Sequence, residues 1–317
     1  MEKSLVLVNN LGLTQKLNLT DELMEGYIRH LQVSKESKRT YFNNIRHFIS
    51  WLGNRAINEE TLLDYRAYLT VNYKATAINS YIVAVKSLFN YLEGLGIRNY
   101  AKDLKGVKTT RQHKRDSLTI DQVKSIYQNM NADTEEEARA TAMLKLLIGT
   151  GLRTIEIINA DLGDIQTLGN AKVLYIQGKG FNNAKENKGD YVILQPSILN
   201  ALQDYLKYRP DAKDNEPLFT SLSDRNRGQR LTTRTVRNIV KGIYKENGLV
   251  SERLTTHSTR HTAITLSLIG GATIQEAQAL ARHTNINTTM IYAHNLNRLE
   301  SNAEGKLEQL LQDTLEQ

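Results

Sequence analysis

Residues 257–294, HSTRHTAITLSLIGGATIQEAQALARHTNINTTMIYAH, bring groups that bind phosphate close to one that can attack it. If the apolar residues 263–269 form a helix, His257 and Arg260 lie one turn apart at its mouth. Their three-residue spacing puts both side chains on one face, which is then cationic and rich in N–H donors. A second short helix fits 273–281, with Thr273 as N-cap and Glu276 as its capping-box partner. His283, the polar turn TNIN and a third helical segment carrying Tyr292 follow. A phosphate held between Arg260, His257 and His283, with the Tyr292 phenol nearby, is a nucleophilic site for a phosphodiester. His257 and His261 also have the i, i+4 spacing of a zinc pair. The chain lacks His-Glu-x-x-His and offers no obvious third ligand, so no metal is assigned. Taken alone, Tyr292 would pass for a core residue, one of 15 tyrosines.

Such a site needs partners from elsewhere in the chain. In GTGLRTIEIINA, residues 149–160, two glycines permit a tight turn and Arg153 and Glu156 fall at i and i+3 of a new helix. They are either a surface pair worth a few tenths of a kcal/mol or part of a site that the glycines let a ligand approach. KVLYIQ and DYVIL, β-branched and bounded by glycines, read as two strands. The intervening GKGFNNAKENKG is too long for a two-residue turn and reads as a loop carrying Lys179, Lys185 and Lys188 over something.

Composition narrows the class. The 317 residues suggest two domains, and 40% hydrophobic content is enough for each to bury a core. A formal charge of +7 and a pI of about 9.3 favour a polyanionic partner, most often nucleic acid. The absence of cysteine excludes thiolate nucleophiles, disulfides and Cys-ligated metal, and fits a reducing cytoplasm. No apolar run approaches the roughly 18 residues that span a bilayer, and MEKSLVLVNN is too short an apolar start for a signal peptide. The expected protein is cytoplasmic, with no membrane partner.

Residues 1–20 carry little pattern and read as a loosely ordered lead or an interaction strand. Four helical patterns follow within 21–104, capped at Thr20 or Asp21 and at Asn58, with Gly53 ending the second and the fourth running over about 76–95. Lys35, Lys38 and Arg39 gather at the start of the second helix and Lys74 precedes the fourth. They form either a solvated face or phosphate contacts at helix N-termini. Residues 105–117, KGVKTTRQHKRDS, are a basic linker in which Arg111, Lys114 and Arg115 can lie along a nucleic acid backbone or simply be solvated. From 118 on, helices are expected at a Thr119 cap and over 135–149, 196–208 and 232–246. A final amphipathic helix, about 299–315, carries a stripe of Leu299, Leu307, Leu310, Leu311 and Leu315 that packs on its own domain or on a neighbouring subunit.

Across 118–297 these pieces resemble, in order, the motifs of the tyrosine recombinase (phage integrase) family, with Xer recombinases close in size and layout. TGLRTIEI looks like the first arginine box, GKG like the lysine hairpin, HSTRH like the His-x-x-Arg box, and ARHTNINTTMIYAH like the final histidine and tyrosine box. The resemblance implies a mostly α protein with a small β-sheet in its second domain. A helical core-binding (SAM-like) bundle at 21–104 would precede a mixed α/β catalytic domain at 118–298, with 299–317 as a C-terminal helix. It implies Arg153 and Arg260 on the non-bridging oxygens of one DNA phosphate, with His257 and His283 adding hydrogen bonds and His257 assisting the loss of the tyrosine proton. Lys179 would protonate the leaving 5′ oxygen, Tyr292 would attack phosphorus, and Glu156 would orient. Arg282 stands where the family's pattern has glycine, an added cation near the phosphate. The implied function is site-specific DNA recombination through a 3′-phosphotyrosyl link and a Holliday junction, without ATP, metal or other cofactor. The implied partners are double-stranded recombination sites, three further copies in a tetramer, and accessory DNA-bending proteins. Two other classes share some of these features. A helix-turn-helix regulator would use 273–294 without chemistry, and a type IB topoisomerase would share the phosphotyrosine.

Overall fold

The computed structural model describes residues 3–8, 14–19, 21–108, 117–176 and 190–293, together with Gly305, Glu308, Leu311 and Gln312. The chain divides into two compact units, Met1–Gln112 and His113–Gln317. Arg111, Lys114 and Arg115 of the basic linker lie outside the described residues.

The first unit opens with an antiparallel pair of strands, β1 (Lys3–Val8) and β2 (Thr14–Leu19), in register from Lys3↔Leu19 to Val8↔Thr14. Of the two readings of 1–20, a loosely ordered lead or an interaction strand, these residues take strand form. SLVLV supplies a β-forming run, and TQKLNL alternates enough to pair with it. Four helices follow: α1 (Asp21–His30), α2 (Lys35–Leu52), α3 (Glu59–Asn72) and α4 (Ala75–Gly94). Their ends are set locally. Ser34 Oγ accepts from the Ser37 N–H at 3.3 Å, Asn58 Oδ1 from the Thr61 N–H at 2.8 Å, and Gly53 ends α2 at φ 59°. α4 packs against the other three helices over a core that includes Tyr27, Phe48, Tyr65, Val85 and Phe89. Lys35, Arg39 and Lys74 are exposed and Lys38 half-buried, all at helix starts.

The second unit runs α5 (Ile120–Asn129), α6 (Glu135–Thr150), α7 (Thr154–Asn159), β3 (Ile165–Leu168), β4 (Ala171–Ile176), β5 (Asp190–Ile193), α8 (Pro196–Leu206), α9 (Thr233–Glu246), α10 (Thr256–Ile269), α11 (Ile274–Ala281) and α12 (Asn287–Ala293). α6 is buried nearly all round, as its alanine and leucine content allows, and packs against α8, α9 and α10. The strands form one antiparallel sheet in the order β3-β4-β5. β3 adds a third strand to the two expected. It is joined to β4 by the two-residue turn Gly169-Asn170, with Gly169 at φ 58°, a turn composition that suits a tight hairpin. The observed class is the mostly α fold with a small sheet that the sequence implies. Among the described residues no helix is long and apolar enough to cross a membrane.

Candidate active site

The site is built on the short helices at the end of the second unit. α10 begins at Thr256, ahead of its apolar stretch, because the Thr255 N–H donates to Ser258 Oγ at 3.0 Å and closes the first turn. His257 and Arg260 therefore sit within the first two turns of the helix. α10, α11 and α12 close on one another through Ile264, Leu268, Ala277, Ala281 and the Tyr292 ring.

The end of α11 determines where the arginines go. The last carbonyls of a helix have no partner within it and carry partial negative charge. Here three guanidiniums take them. Arg260 Nη2 donates to Ala281 O, Arg282 Nη1 to Leu280 O at 3.0 Å, and Arg153 Nη2 makes a longer contact of 3.4 Å to Arg282 O. Arg260 Nη1 also donates, at 2.6 Å, to the carbonyl of Gly151, the residue that caps α6 at φ 63°. Arg260 is thus buried between two helix ends. Burial, then the neighbouring Arg153 and Arg282, push its pKa down to about 10, so it keeps its charge at neutral pH.

Glu156 answers this positive charge. Its carboxylate accepts from Arg153 Nη1, from the Arg153 backbone N–H and from Arg282 Nη2, each at 2.7 Å. Its side chain is 4% exposed, which rules out the surface Arg–Glu pair that the i, i+3 spacing also allowed. Burial raises its pKa. Arg282 and the Arg153 bonds lower it by more, so the net shift is downward and the carboxylate stays ionised. With three guanidiniums against one carboxylate, the cluster keeps an excess of positive charge.

Arg282 is the only non-glycine residue at positive φ among the described residues, at φ 52° and ψ 47°. The backbone thus holds the left-handed conformation that glycine usually supplies at a helix end, and the arginine side chain turns back to Glu156 with 8% exposure. Its Nε is buried without a hydrogen-bond partner among the described residues.

His283 follows at once, with Nδ1 sharing a 2.9 Å hydrogen bond with the buried Thr289 Oγ1 of α12. Burial first, then Arg260, Arg153 and Arg282, lower its pKa to about 4, so the ring is neutral at pH 7. Tyr292, on α12, is 5% exposed, and its hydroxyl lies 2.5 Å from His261 Nδ1, with ring centroids 5.3 Å apart. It is also close enough to Arg260 to influence that residue's titration.

The family model of the phage integrase family matches residues 116–298. The chain belongs to this family. Among curated relatives of this phage integrase family member, the tyrosine recombinase slr0733 of Synechocystis sp. is 28% identical over 96% of this chain and 98% of its own length. The tyrosine recombinase XerC of Caldanaerobacter subterraneus subsp. tengcongensis is 31% identical over 67% of this chain and 57% of its own. The fold is shared with the XerH site-specific recombinase bound to a palindromic difH substrate, with a TM-score of 0.69 and 21% identity over 89% of this chain and 83% of that one. It is shared equally with the Tn1549 transposon integrase in complex with transposon right end DNA, with a TM-score of 0.69 and 20% identity over 90% and 98%. The enzyme class follows from membership: a tyrosine-type site-specific DNA recombinase.

Of the residues singled out by sequence, Arg153, Glu156, Arg260, Arg282, His283 and Tyr292 come together in this phage integrase family member, and His257 lies one turn before Arg260 on α10. Lys179, Lys185 and Lys188 lie outside the described residues, between Ile176 and Asp190, which pair across β4 and β5. Two features were missed. His261, weighed only as half of a metal pair, bonds the Tyr292 hydroxyl. The other is α9, which exposes Arg234, Arg237, Lys241 and Lys245 along one face while Val236, Val240, Ile243 and Tyr244 are buried on the other. The i, i+3, i+7, i+11 spacing of those cations was legible in TTRTVRNIVKGIYK.

Proposed function

We propose that this recombinase cuts and rejoins double-stranded DNA at specific sites, with Tyr292 as nucleophile and a 3′-phosphotyrosyl intermediate. The observation that carries this is Tyr292 within electrostatic reach of Arg260, which clusters with Arg153 and Arg282, with His257 on the same helix as Arg260 and His283 in the loop that leads from α11 to α12. Arg153 and Arg260 take the non-bridging oxygens of the scissile phosphate, a planar donor geometry suited to them. Fixed donors of this kind stabilise charge that develops during attack without reorganising at that moment. His283, neutral and held by Thr289, adds a hydrogen bond to the phosphate without adding positive charge. His257 adds another from the first turn of α10. Glu156 holds Arg153 and Arg282 and so orients the clamp. Lys179 protonates the departing 5′ oxygen.

The phosphotyrosyl ester conserves the energy of the broken phosphodiester. A 5′-hydroxyl from the second duplex can therefore reverse the attack without ATP or metal, and two such exchanges pass through a Holliday junction. The assembly is a tetramer on DNA. The C-terminal helix docks on a neighbouring copy, in keeping with the 51% exposure of Leu311 from its leucine stripe. Lys35, Lys38, Arg39 and Lys74, the linker cations and the exposed face of α9 bind DNA phosphates. The test is a nicked suicide duplex on which the 5′ end diffuses away after cleavage. The wild type should accumulate a covalent protein–DNA band and Tyr292→Phe should bind without forming one. A band of equal strength from Tyr292→Phe would end the assignment.

A further inference from the structure

We infer that His261 is the base that accepts the phenolic proton of Tyr292 during strand cleavage and returns it during rejoining. The inference rests on the proposed role of Tyr292 as nucleophile. A free phenol has a pKa near 10, so at neutral pH the proton must leave as the O–P bond forms. A proton acceptor has to lie within hydrogen-bond reach of the hydroxyl. His261 Nδ1 does, at 2.5 Å. Arg153, Arg260 and Arg282 have no acceptor to offer. The Glu156 carboxylate is occupied by two of those arginines, and His283 Nδ1 is turned to Thr289. The family resemblance gave this proton to His257, but it is His261, one turn further along α10, that bonds the hydroxyl.

The fold makes the pairing firm. His261 follows Arg260 on α10, so the helical rotation sends the two side chains in different directions. Arg260 goes to the ends of α6 and α11, and His261 to α12. The phosphate clamp and the proton acceptor are thus neighbours on one rigid turn. The packing of Ile264, Leu268, Ala277 and Ala281 around the tyrosine ring fixes the distance between them.

With the proton on Nε2, His261 Nδ1 accepts from the phenol. As Tyr292 Oη bonds to phosphorus, its O–H bond breaks and the proton passes to Nδ1, leaving an imidazolium. The P–O5′ bond breaks, its electron pair goes to O5′, and the acid proposed above, Lys179, protonates that oxygen. In rejoining, the neutral lysine takes the proton of the attacking 5′-hydroxyl, and the imidazolium returns its own to the departing tyrosine oxygen. Tyr292 on α12 faces His261, His257 lies one turn back on the same helix, and the adjoining Arg260 feels the charges of Arg153, Arg282 and Glu156.

The test uses the full chain and a nicked suicide duplex whose site is obtained by covalent capture from a random duplex library. Single-turnover cleavage is followed from about pH 5.5 to about pH 9. The wild-type rate should rise as His261 loses its proton and then level. His261→Asn keeps an acceptor oxygen near the Nδ1 position but takes no proton. It should bind DNA as the wild type does, cleave about 10²-fold more slowly, and show a rate that climbs without a plateau toward the phenol's own titration. Cleavage by His261→Asn with the wild-type rate and profile would reduce His261 to a spacer and overturn the inference. Capture of no adduct by the wild type would overturn both this inference and the nucleophile assignment on which it rests. Nitrogen-15 histidine spectra of the wild type give a check that does not depend on the variant folding. Near pH 7.5 the His261 Nδ1 should report a bare, hydrogen-bonded nitrogen, and a proton resident there would overturn the inference.

Discussion

Replacing Glu156 with Gln keeps the shape of the side chain and removes its charge. The carboxylate accepts three hydrogen bonds at 2.7 Å, two of them from guanidiniums. A Gln amide offers one acceptor oxygen and turns an N–H toward the remaining donors. Arg153 can turn to solvent, since its side chain is 41% exposed. Arg282 cannot, at 8% exposure and with its backbone held at φ 52°. Breaking a buried pair from one side costs about 3–5 kcal/mol, because the remaining charge stays buried. The lower end applies here, since Arg282 keeps its bond to Leu280 O. A loss of about 3 kcal/mol in a unit of this size lowers the melting temperature by roughly 6–12 °C.

Arg282→Gly sharpens the test. In the wild type it loses the ion pair but relieves a left-handed backbone worth about 1–2 kcal/mol, for a net cost of about 1–2 kcal/mol. In the Glu156→Gln background there is no pair left to lose, and removing the stranded cation should stabilise the protein by about 1–2 kcal/mol. The assay is calorimetry of the four full-length chains. A destabilisation by Arg282→Gly of equal size in both backgrounds would mean that the Glu156–Arg282 pair is not what holds this corner of the site.

Three further outcomes are expected. His283 binds its proton near pH 6.5 when unfolded but only near about 4 when folded, so its contribution is complete above pH 6.5 and is lost as pH falls toward 4. Solvent screening of this half-buried ring leaves about 1 kcal/mol between pH 7 and pH 5, seen as a drop in urea midpoint that His283→Asn should lack. Alanine at Arg234, Arg237 or Lys241 on the exposed face of α9 should lower the slope of log binding constant against log salt by about 0.9 for each DNA phosphate that the protein no longer neutralises. An unchanged slope would remove α9 from the DNA interface. Gly151→Ala adds a methyl that meets Ala263 Cβ at 3.5 Å, an ordinary contact, so its cost should be the strain at φ 63°, about 1 kcal/mol, with cleavage slowed through displacement of the carbonyl that holds Arg260.

What could be read from the sequence was what is local. Caps at Asn58, Thr119 and Thr273 act across three residues, and helical stripes repeat within one element, so the helices were visible in order. β3 was not, because four residues give too little alternation and the Gly169-Asn170 turn passed unremarked. Arg260, His257, His283 and Tyr292 could be grouped from residue type and helical spacing, whereas joining Arg153 and Glu156 to them followed from motif order rather than from any physical pattern in the chain. The sequence could not reveal that Arg282 would adopt a backbone conformation arginine disfavours, since the compensating carboxylate is 126 residues away. Nor could it reveal His261: its i, i+4 spacing from His257 suggests a shared face, whereas its partner is set by how α12 returns across α10. Whether Glu156 was a surface or a site residue turned on burial, which a three-residue spacing does not encode.

The central claim is that one side chain, Tyr292, becomes covalently joined to DNA. The most direct measurement is to trap the adduct on a suicide duplex, digest protein and DNA, and locate the residual nucleotide by tandem mass spectrometry. A 3′-phosphonucleotide on the peptide carrying Tyr292 is the predicted result. The same mass on any of the other tyrosines, or a 5′-linked nucleotide, would contradict the account.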